Sequence, residues 1–213
     1  MKLQDERRDY ERAQLRRSTL KSDPFEQFAS WLSAAKEAAV LSDSTAFTLA
    51  TVGPSGRPHQ RIVLLKDIDS TGFIFYTNYD SQKGQDISAN QQASMHFAWL
   101  PLEQQIRIEG VVEKVDQATS EAYFHSRPKS SQLGALASQQ SATIESRGEL
   151  EEVYHELTDR YADQVVPMPE NWGGYRVKPD YFEFWQGGKF RLHDRFCYRQ
   201  SQTNDWLIER LQP

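Results

Sequence analysis

Arg191, His193 and Arg195 stand two residues apart in the stretch Trp185-Gln-Gly-Gly-Lys-Phe-Arg-Leu-His-Asp-Arg195. Alternate residues of a strand share a face. Read as a strand, 189–199 therefore sets two guanidiniums and an imidazole on one side, with Leu192, Asp194 and Phe196 on the other. Such a row of cations persists only where the face meets water or an anion. A solvated edge strand satisfies the pattern. So does a pocket wall for a phosphate or carboxylate, since the arginine fork matches both. The Gly187-Gly188 pair before it is a hairpin signal, because glycine accepts the positive φ of a tight turn.

Other common chemistries are missing from the pattern. The five histidines are scattered without metal-ligand spacing, so no metal is expected. There is no glycine-rich phosphate loop ending in Gly-Lys-Ser/Thr, and no Gly-x-Gly-x-x-Gly opening a helix after a strand. No Ser-His-Asp arrangement stands out. Cys197, the only cysteine, falls in an expected strand without a helix N-terminus to activate it, and reads as structural.

Composition narrows the class. With 213 residues, 38% hydrophobic and 12% aromatic, the chain can bury a real core and suits a strand-rich globular fold. A mean hydropathy of −0.72 with no long apolar run excludes a membrane span. The N-terminus lacks the apolar core of a signal peptide, and a single cysteine suits a reducing cytoplasm. A net charge of −5 argues against general nucleic-acid binding.

The elements that must position these residues can be read in order. Residues 1–22 are dense in charge and read as a mobile basic segment before a single domain, 23–213. Asp23 and Pro24 start a helix whose Phe25, Phe28, Trp31 and Leu32 face the core, ending near 42–44. Strands are expected at 45–52, 58–66 and 73–77 as an antiparallel meander. The second of these is expected to be central, because Ile62, Val63, Leu64 and Leu65 are apolar on both faces. A short helix opens at Ser81; its N-terminus, together with Lys83, can hold a phosphate. Strands at 93–99 and 105–115 follow, then helices at 119–126, 130–138 and 149–161. Strands at 175–186, 189–199 and 206–211 finish an antiparallel β-barrel with helices around it.

The stretch 185–195 closely resembles the C-terminal signature of the pyridoxamine 5'-phosphate oxidase family. Gln60-Arg-Ile-Val-Leu-Leu-Lys66, Phe75-Tyr-Thr-Asn78, Phe124-His-Ser-Arg-Pro128, Gln139-Gln-Ser141 and Asn171-Trp-Gly-Gly174 resemble it too, in family order. The resemblance implies a split β-barrel, α+β and mainly β, that binds FMN at the interface of a homodimer. It implies oxidation of pyridoxamine and pyridoxine 5'-phosphates to pyridoxal 5'-phosphate, with O2 as acceptor and H2O2 released, in vitamin B6 biosynthesis. The cofactor-binding residues it implies are Arg61, Ile62, Val63, Leu64, Leu65, Lys66, Tyr76, Thr77, Gln82, Lys83, Gln105, Gln140, Ser141, Trp185 and Arg195. Those for substrate are Arg7, Arg8, Asp9, Tyr10, Lys66, Tyr123, Arg127, Ser131, Arg191, Leu192 and His193. Arg191 and His193 are the implied catalytic pair. Tyr123, Arg127 and Ser131 recur every four residues; Pro128 interrupts that helical spacing, so a helix end and a restart are expected to converge. One departure stands out: the residue between Ser81 and Lys83 is usually basic in the family and is Gln82 here. A related flavin oxidase acting on another ring, such as a phenazine-pathway enzyme, and a non-catalytic FMN- or pyridoxal-phosphate-binding protein are the competing readings.

Overall fold

The computed structural model of the chain describes residues 4–5 and 9–213. Its strands are β1 (Ala46–Val52), β2 (Pro58–Leu64), β3 (Asp67–Asp69), β4 (Gly72–Asn78), β5 (Gln92–Trp99), β6 (Gln104–Lys114), β7 (Trp172–Gln186), β8 (Asp194–Gln200) and β9 (Trp206–Leu211). They form one antiparallel sheet in the order β2-β1-β5-β6-β7-β4-β3, with β8 and β9 branching from β7. The branch has a clear origin. β7 pairs with β4 along its first residues and with β8 along its last, while β6 follows it along most of its length. One strand with different partners at its two ends forces the sheet to curl into a split barrel.

The barrel closes on aromatic side chains. Alternation along β1 and β5 turns Phe47, Leu49, Met95 and Phe97 inward, each 2% exposed or less. Helix α1 (Pro24–Ala38) plugs one opening. Asp23 accepts a hydrogen bond from the Phe25 N–H at 2.8 Å, and Pro24 takes the first turn, where no N–H is needed. Phe28 then meets the rings of Phe73 and Phe97 with centroids 4.9 and 5.0 Å away. Full burial of such a ring contributes about 1.5–3 kcal/mol. Of four further helices, α2 (Gln82–Ala89) packs on β1, α3 (Gln117–Ser126) on β7, and α4 (Lys129–Ala137) joins α3 to α5 (Arg147–Arg160). Phe124, Leu133, Val166 and Trp172 form a second small core beneath them.

Five expectations are corrected. Helix α1 stops at Ala38, four residues early, because Ala39 takes the left-handed conformation at φ 51°. β2 is an edge strand, not a central one: Val63 packs against the core, but Ile62 is 73% exposed and Leu64 is exposed beside it, so that face serves something other than this chain's own core. The strands β1, β2 and β4 are no meander, since β4 pairs with β3 and β7. Gly187-Gly188 is not a two-residue hairpin turn; 187–193 connect β7 to β8, and Gly188 sits at φ −136°. Its role is close approach, as a Cβ there would stand 2.4 Å from the Leu192 carbonyl oxygen. Finally, β8 begins only at Asp194, and Lys189–Arg191 form a 3-10 turn with Phe190 and Arg191 at φ 57° and 65°. Arg191 and His193 therefore share no strand face with Arg195.

Candidate active site

A cleft of about 890 Å³ opens between β2, β4, α2 and the α3–α4 corner. Arg61, Ile62, Val63, Leu64 and Lys66 reach it from β2 and its exit, Tyr76 and Thr77 from β4, Gln82 and Lys83 from α2, and Gln140 and Ser141 from the loop after α4. Tyr123, Arg127 and Ser131 line the same cleft. Pro128 is what brings them together. It ends α3 at Ser126 and starts α4 at Lys129, so the four-residue repeat turns a corner while its side chains still face one space. Leu65 is the exception in its run; it is buried in the core and its N–H donates to the Thr45 carbonyl at 2.9 Å.

The electrostatics of the cleft have two foci. At one, Lys83 donates to Ser81 Oγ at 3.0 Å and to Gln140 Oε1 at 2.8 Å, both neutral partners. Burial, with help from the neighbouring Arg61 charge, pulls the Lys83 ammonium down to about 8. No side chain caps the N-terminus of α2, whose positive end adds to this corner. At the other focus, Arg127 stacks over Trp172 at 4.8 Å, and its buried Nη1 has no hydrogen-bond partner among the described residues. Burial lowers the Arg127 pKa while Tyr123 opposes that shift. Burial likewise raises the Tyr123 phenol, which stays protonated as a donor. Tyr123, Tyr76 and Trp172 stack in parallel, the first two 3.8 Å apart. A buried guanidinium nitrogen without an acceptor is costly, so this geometry asks for an anionic ligand. Two cation foci along one cleft of mixed polar and apolar lining fit a group with a phosphate and a second phosphorylated molecule beside it.

The remaining expected residues lie elsewhere. Gln105, Trp185 and Arg195 line a separate hollow of about 370 Å³ with His96, Arg107, Glu183 and Pro213. Trp185 stands near the end of β7, whereas Tyr76 and Thr77 pair with Gly174 and Gly173 at its start. Trp185 thus lies eleven positions further along β7 than Gly174, at the opposite end of the strand. Next to this hollow, Tyr10 packs edge-on against Trp185 and His193 with centroids 5.7 and 5.2 Å away. Arg191 lies over the Tyr10 ring at 5.6 Å. The Gly188 N–H donates to His193 Nδ1 at 3.1 Å, which leaves the ring proton on Nε2. Burial, then the Arg191 charge, lowers the His193 pKa, so its imidazole is neutral. Leu192 and Asp9 are exposed. Arg7 and Arg8 lie outside the described residues.

Three residues without an expected role complete the arrangement. Glu183, 5% exposed, accepts from Arg195 Nε at 2.8 Å, Arg107 Nη2 at 3.0 Å and the Tyr181 hydroxyl at 3.1 Å. Burial alone would raise its pKa, but the Arg195 hydrogen bond and the Arg107 charge outweigh that and hold it below the ordinary range. Its signal in the sequence is a lone carboxylate between Phe182 and Phe184. Trp172 falls in the Asn-Trp-Gly-Gly motif and props Arg127. Asp86 lies fully buried one helical turn after Gln82. Among the described residues no group of three or more His, Cys, Asp or Glu could hold a metal, and no helix is long and apolar enough to cross a membrane.

Comparison with known proteins bears on the same regions. A family model described as pyridoxamine 5'-phosphate oxidase matches residues 34–161. Another, described as the pyridoxine 5'-phosphate oxidase C-terminal dimerisation region, matches 172–213. A pyridoxine/pyridoxamine 5'-phosphate oxidase of Idiomarina loihiensis is 54% identical over 213 residues, all of both chains. One of Vibrio vulnificus is 53% identical, again end to end over 213 residues. Among solved structures, PhzG from Burkholderia lata 383, in complex with tetrahydrophenazine-1-carboxylic acid, superposes with a TM-score of 0.87 at 31% identity, covering 92% of this chain and 95% of that one. A pyridoxamine 5'-phosphate oxidase-related, FMN-binding protein from Nostoc punctiforme has the same fold, with a TM-score of 0.70 at 17% identity over 92% of this chain and 99% of that one.

Proposed function

The chain belongs to the pyridoxamine 5'-phosphate oxidase family of oxidoreductases, and from that premise we propose that it oxidises pyridoxamine and pyridoxine 5'-phosphates to pyridoxal 5'-phosphate with FMN as cofactor. Dioxygen is the electron acceptor and hydrogen peroxide the second product. The carrying observation is the buried, unpartnered Arg127 Nη1 in the same cleft as the Arg61–Lys83 corner. Two phosphates, one from each ligand, satisfy two cation foci.

FMN, when bound, supplies the two-electron acceptor that no side chain of this protein offers. Arg61 and Lys83 hold its phosphate, and the backbone and apolar side chains of Ile62–Leu64 give its ring a wall. Lys66, Tyr123, Arg127 and Ser131 bind the substrate phosphate: two cations as charge, two hydroxyls as donors. Fixing the substrate by its phosphate leaves C4′ as the end that must be aimed, and orientation of that kind supplies much of the rate. The neutral His193 offers Nε2–H to the substrate as a donor, and Arg191 adds charge beside it. Neither is placed as an obligate base.

The cleft and the Trp185–His193 wall are separate hollows within one chain. A homodimer would bring the two together. In a two-fold pair each wall covers the partner's cleft, giving two composite sites. The exposed Ile62 and the match of 172–213 to a dimerisation region support it. The compartment is the cytoplasm, in keeping with a single, buried thiol.

The test is direct. Purified protein should be yellow, and pyridoxamine 5'-phosphate should yield aldehyde and peroxide in equal amounts. Colourless protein that takes up no added FMN would overturn the reading. The likeness to PhzG favours one alternative, a non-phosphorylated ring substrate; turnover of such rings without turnover of the B6 phosphates would select it.

A further inference from the structure

Asp86 is a carboxylate with 0% exposure beside the cation corner of the cleft. Its Oδ2 accepts from the Thr51 hydroxyl at 2.7 Å and faces His59 Nδ1 at 2.8 Å; its Oδ1 accepts from Gln82 Nε2 at 2.9 Å. The Thr51 hydroxyl has one proton. Having given it to Asp86, it can only present a lone pair to Arg61, whose Nη1 donates to it at 2.7 Å. The same Nη1 donates to the Leu49 and His59 carbonyls, while Nη2 lies 3.9 Å from Asp86 Oδ2 as a direct ion pair, so the carboxylate holds both ends of a guanidinium that lines the cleft. The turn after β1 is closed onto the carboxylate, for a Cβ on Gly53 would stand 2.4 Å from Asp86 Oδ1.

A buried carboxylate is expensive, and one near a phosphate site also repels the ligand. What it supplies here is direction. We propose that Asp86 is the positioning residue of the flavin-phosphate site, aiming Arg61 through the Thr51 hydroxyl and a direct ion pair, and Gln82 through a direct hydrogen bond. The proposal rests on the FMN reading above. It also accounts for the departure at position 82. The Gln82 amide gives one N–H to Asp86 and keeps the other for the phosphate.

The experiment is titration of the flavin-free full chain with FMN and with riboflavin, followed by quenching of flavin fluorescence. Riboflavin has the same ring and ribityl chain but no phosphate. Asp86→Asn and Thr51→Val should each cut the preference for FMN over riboflavin about tenfold, the scale of one charge-assisted hydrogen bond, with riboflavin affinity within about twofold of wild type. Thr51→Val is close in shape and decides the matter should Asp86→Asn not fold. Equal weakening of both ligands would mark a purely structural role and overturn the proposal. So would an unchanged preference, or a tighter FMN complex in either variant. A wild-type protein without preference for FMN over riboflavin would instead strike the underlying functional reading.

Discussion

The cleft around Arg127 and the wall around Glu183 both gather arginines, and they treat them in opposite ways. In the wall, Arg107 and Arg195 converge on Glu183, which is buried and ionised between them. In the cleft Asp86 pairs with Arg61 at one edge, but among the described residues Arg127 Nη1 has no acceptor and Lys83 has only neutral ones. The wall is therefore finished without a ligand; its charges hold each other in place and present Trp185, Arg195 and Gln105 as a rigid surface. The cleft is unfinished, and an anion completes it. Local charge balance thus separates a region that positions from a region that binds.

The sharpest break of this contrast is a mixing experiment. Arg127→Ala should lower kcat/KM for pyridoxamine 5'-phosphate by about 2–3 kcal/mol, roughly thirty- to a hundred-and-fifty-fold, while FMN stays bound. Arg195→Ala damages the wall instead. Coexpressing the two variants should restore about a quarter of wild-type activity, because half the dimers are mixed and each has one intact cleft–wall pair. No recovery would place cleft and wall of the same chain in one site.

Lys83 tests the unfinished character of the cleft through pH. Its free-protein value of about 8 lies below the ordinary 10.5. A bound phosphate favours the ammonium, so the complex holds a proton that the free protein has lost above about pH 8. FMN affinity should be steady below that point and fall by up to about tenfold per pH unit above it. Lys83→Met should weaken FMN and abolish the slope. The same depression means that flavin-free protein gains stability from this group as pH rises from about 8 toward 10.5, where only the unfolded chain is still protonated. A slope that survives in Lys83→Met would assign the proton to another group.

The wall should respond in stability before it responds in binding. Glu183→Gln leaves two arginines facing a neutral amide and should cost about 1.5 kcal/mol, lowering Tm by about 3–6 °C. Its KM should rise only a few-fold, and thermal melts beside steady-state kinetics separate the two. The smallest effect belongs to Tyr10, the edge-on neighbour of Trp185 and His193. Tyr10→Leu should raise KM about threefold through lost ring contacts and leave FMN titrations unchanged.

Much of this was legible in the sequence because it is local. Asp23 and Pro24 specify the start of α1 from two adjacent positions. Pro128 marks the α3–α4 corner, and the four-residue spacing of Tyr123, Arg127 and Ser131 carries across it. Motif chemistry, a family pattern spread from end to end and the absence of metal spacing are likewise properties of short stretches. The strands expected at 45–52 and 93–99 stand as β1 and β5, within a residue of those bounds.

The tertiary structure decided what depends on distant partners. Ile62 looks like core by composition, yet it lies exposed on an edge strand, because strand order is set by pairings that no short pattern encodes. Arg191 and His193 looked like one face with Arg195; two left-handed residues, Phe190 and Arg191, remove them from the strand, and alternation cannot report backbone sign. Asp86 meets Thr51 across 35 residues, and Glu183 meets Arg107 across 76. Such carboxylates read as ordinary surface charge until the fold buries them beside a cation, since only burial turns a weak screened contact into one that fixes a guanidinium's direction.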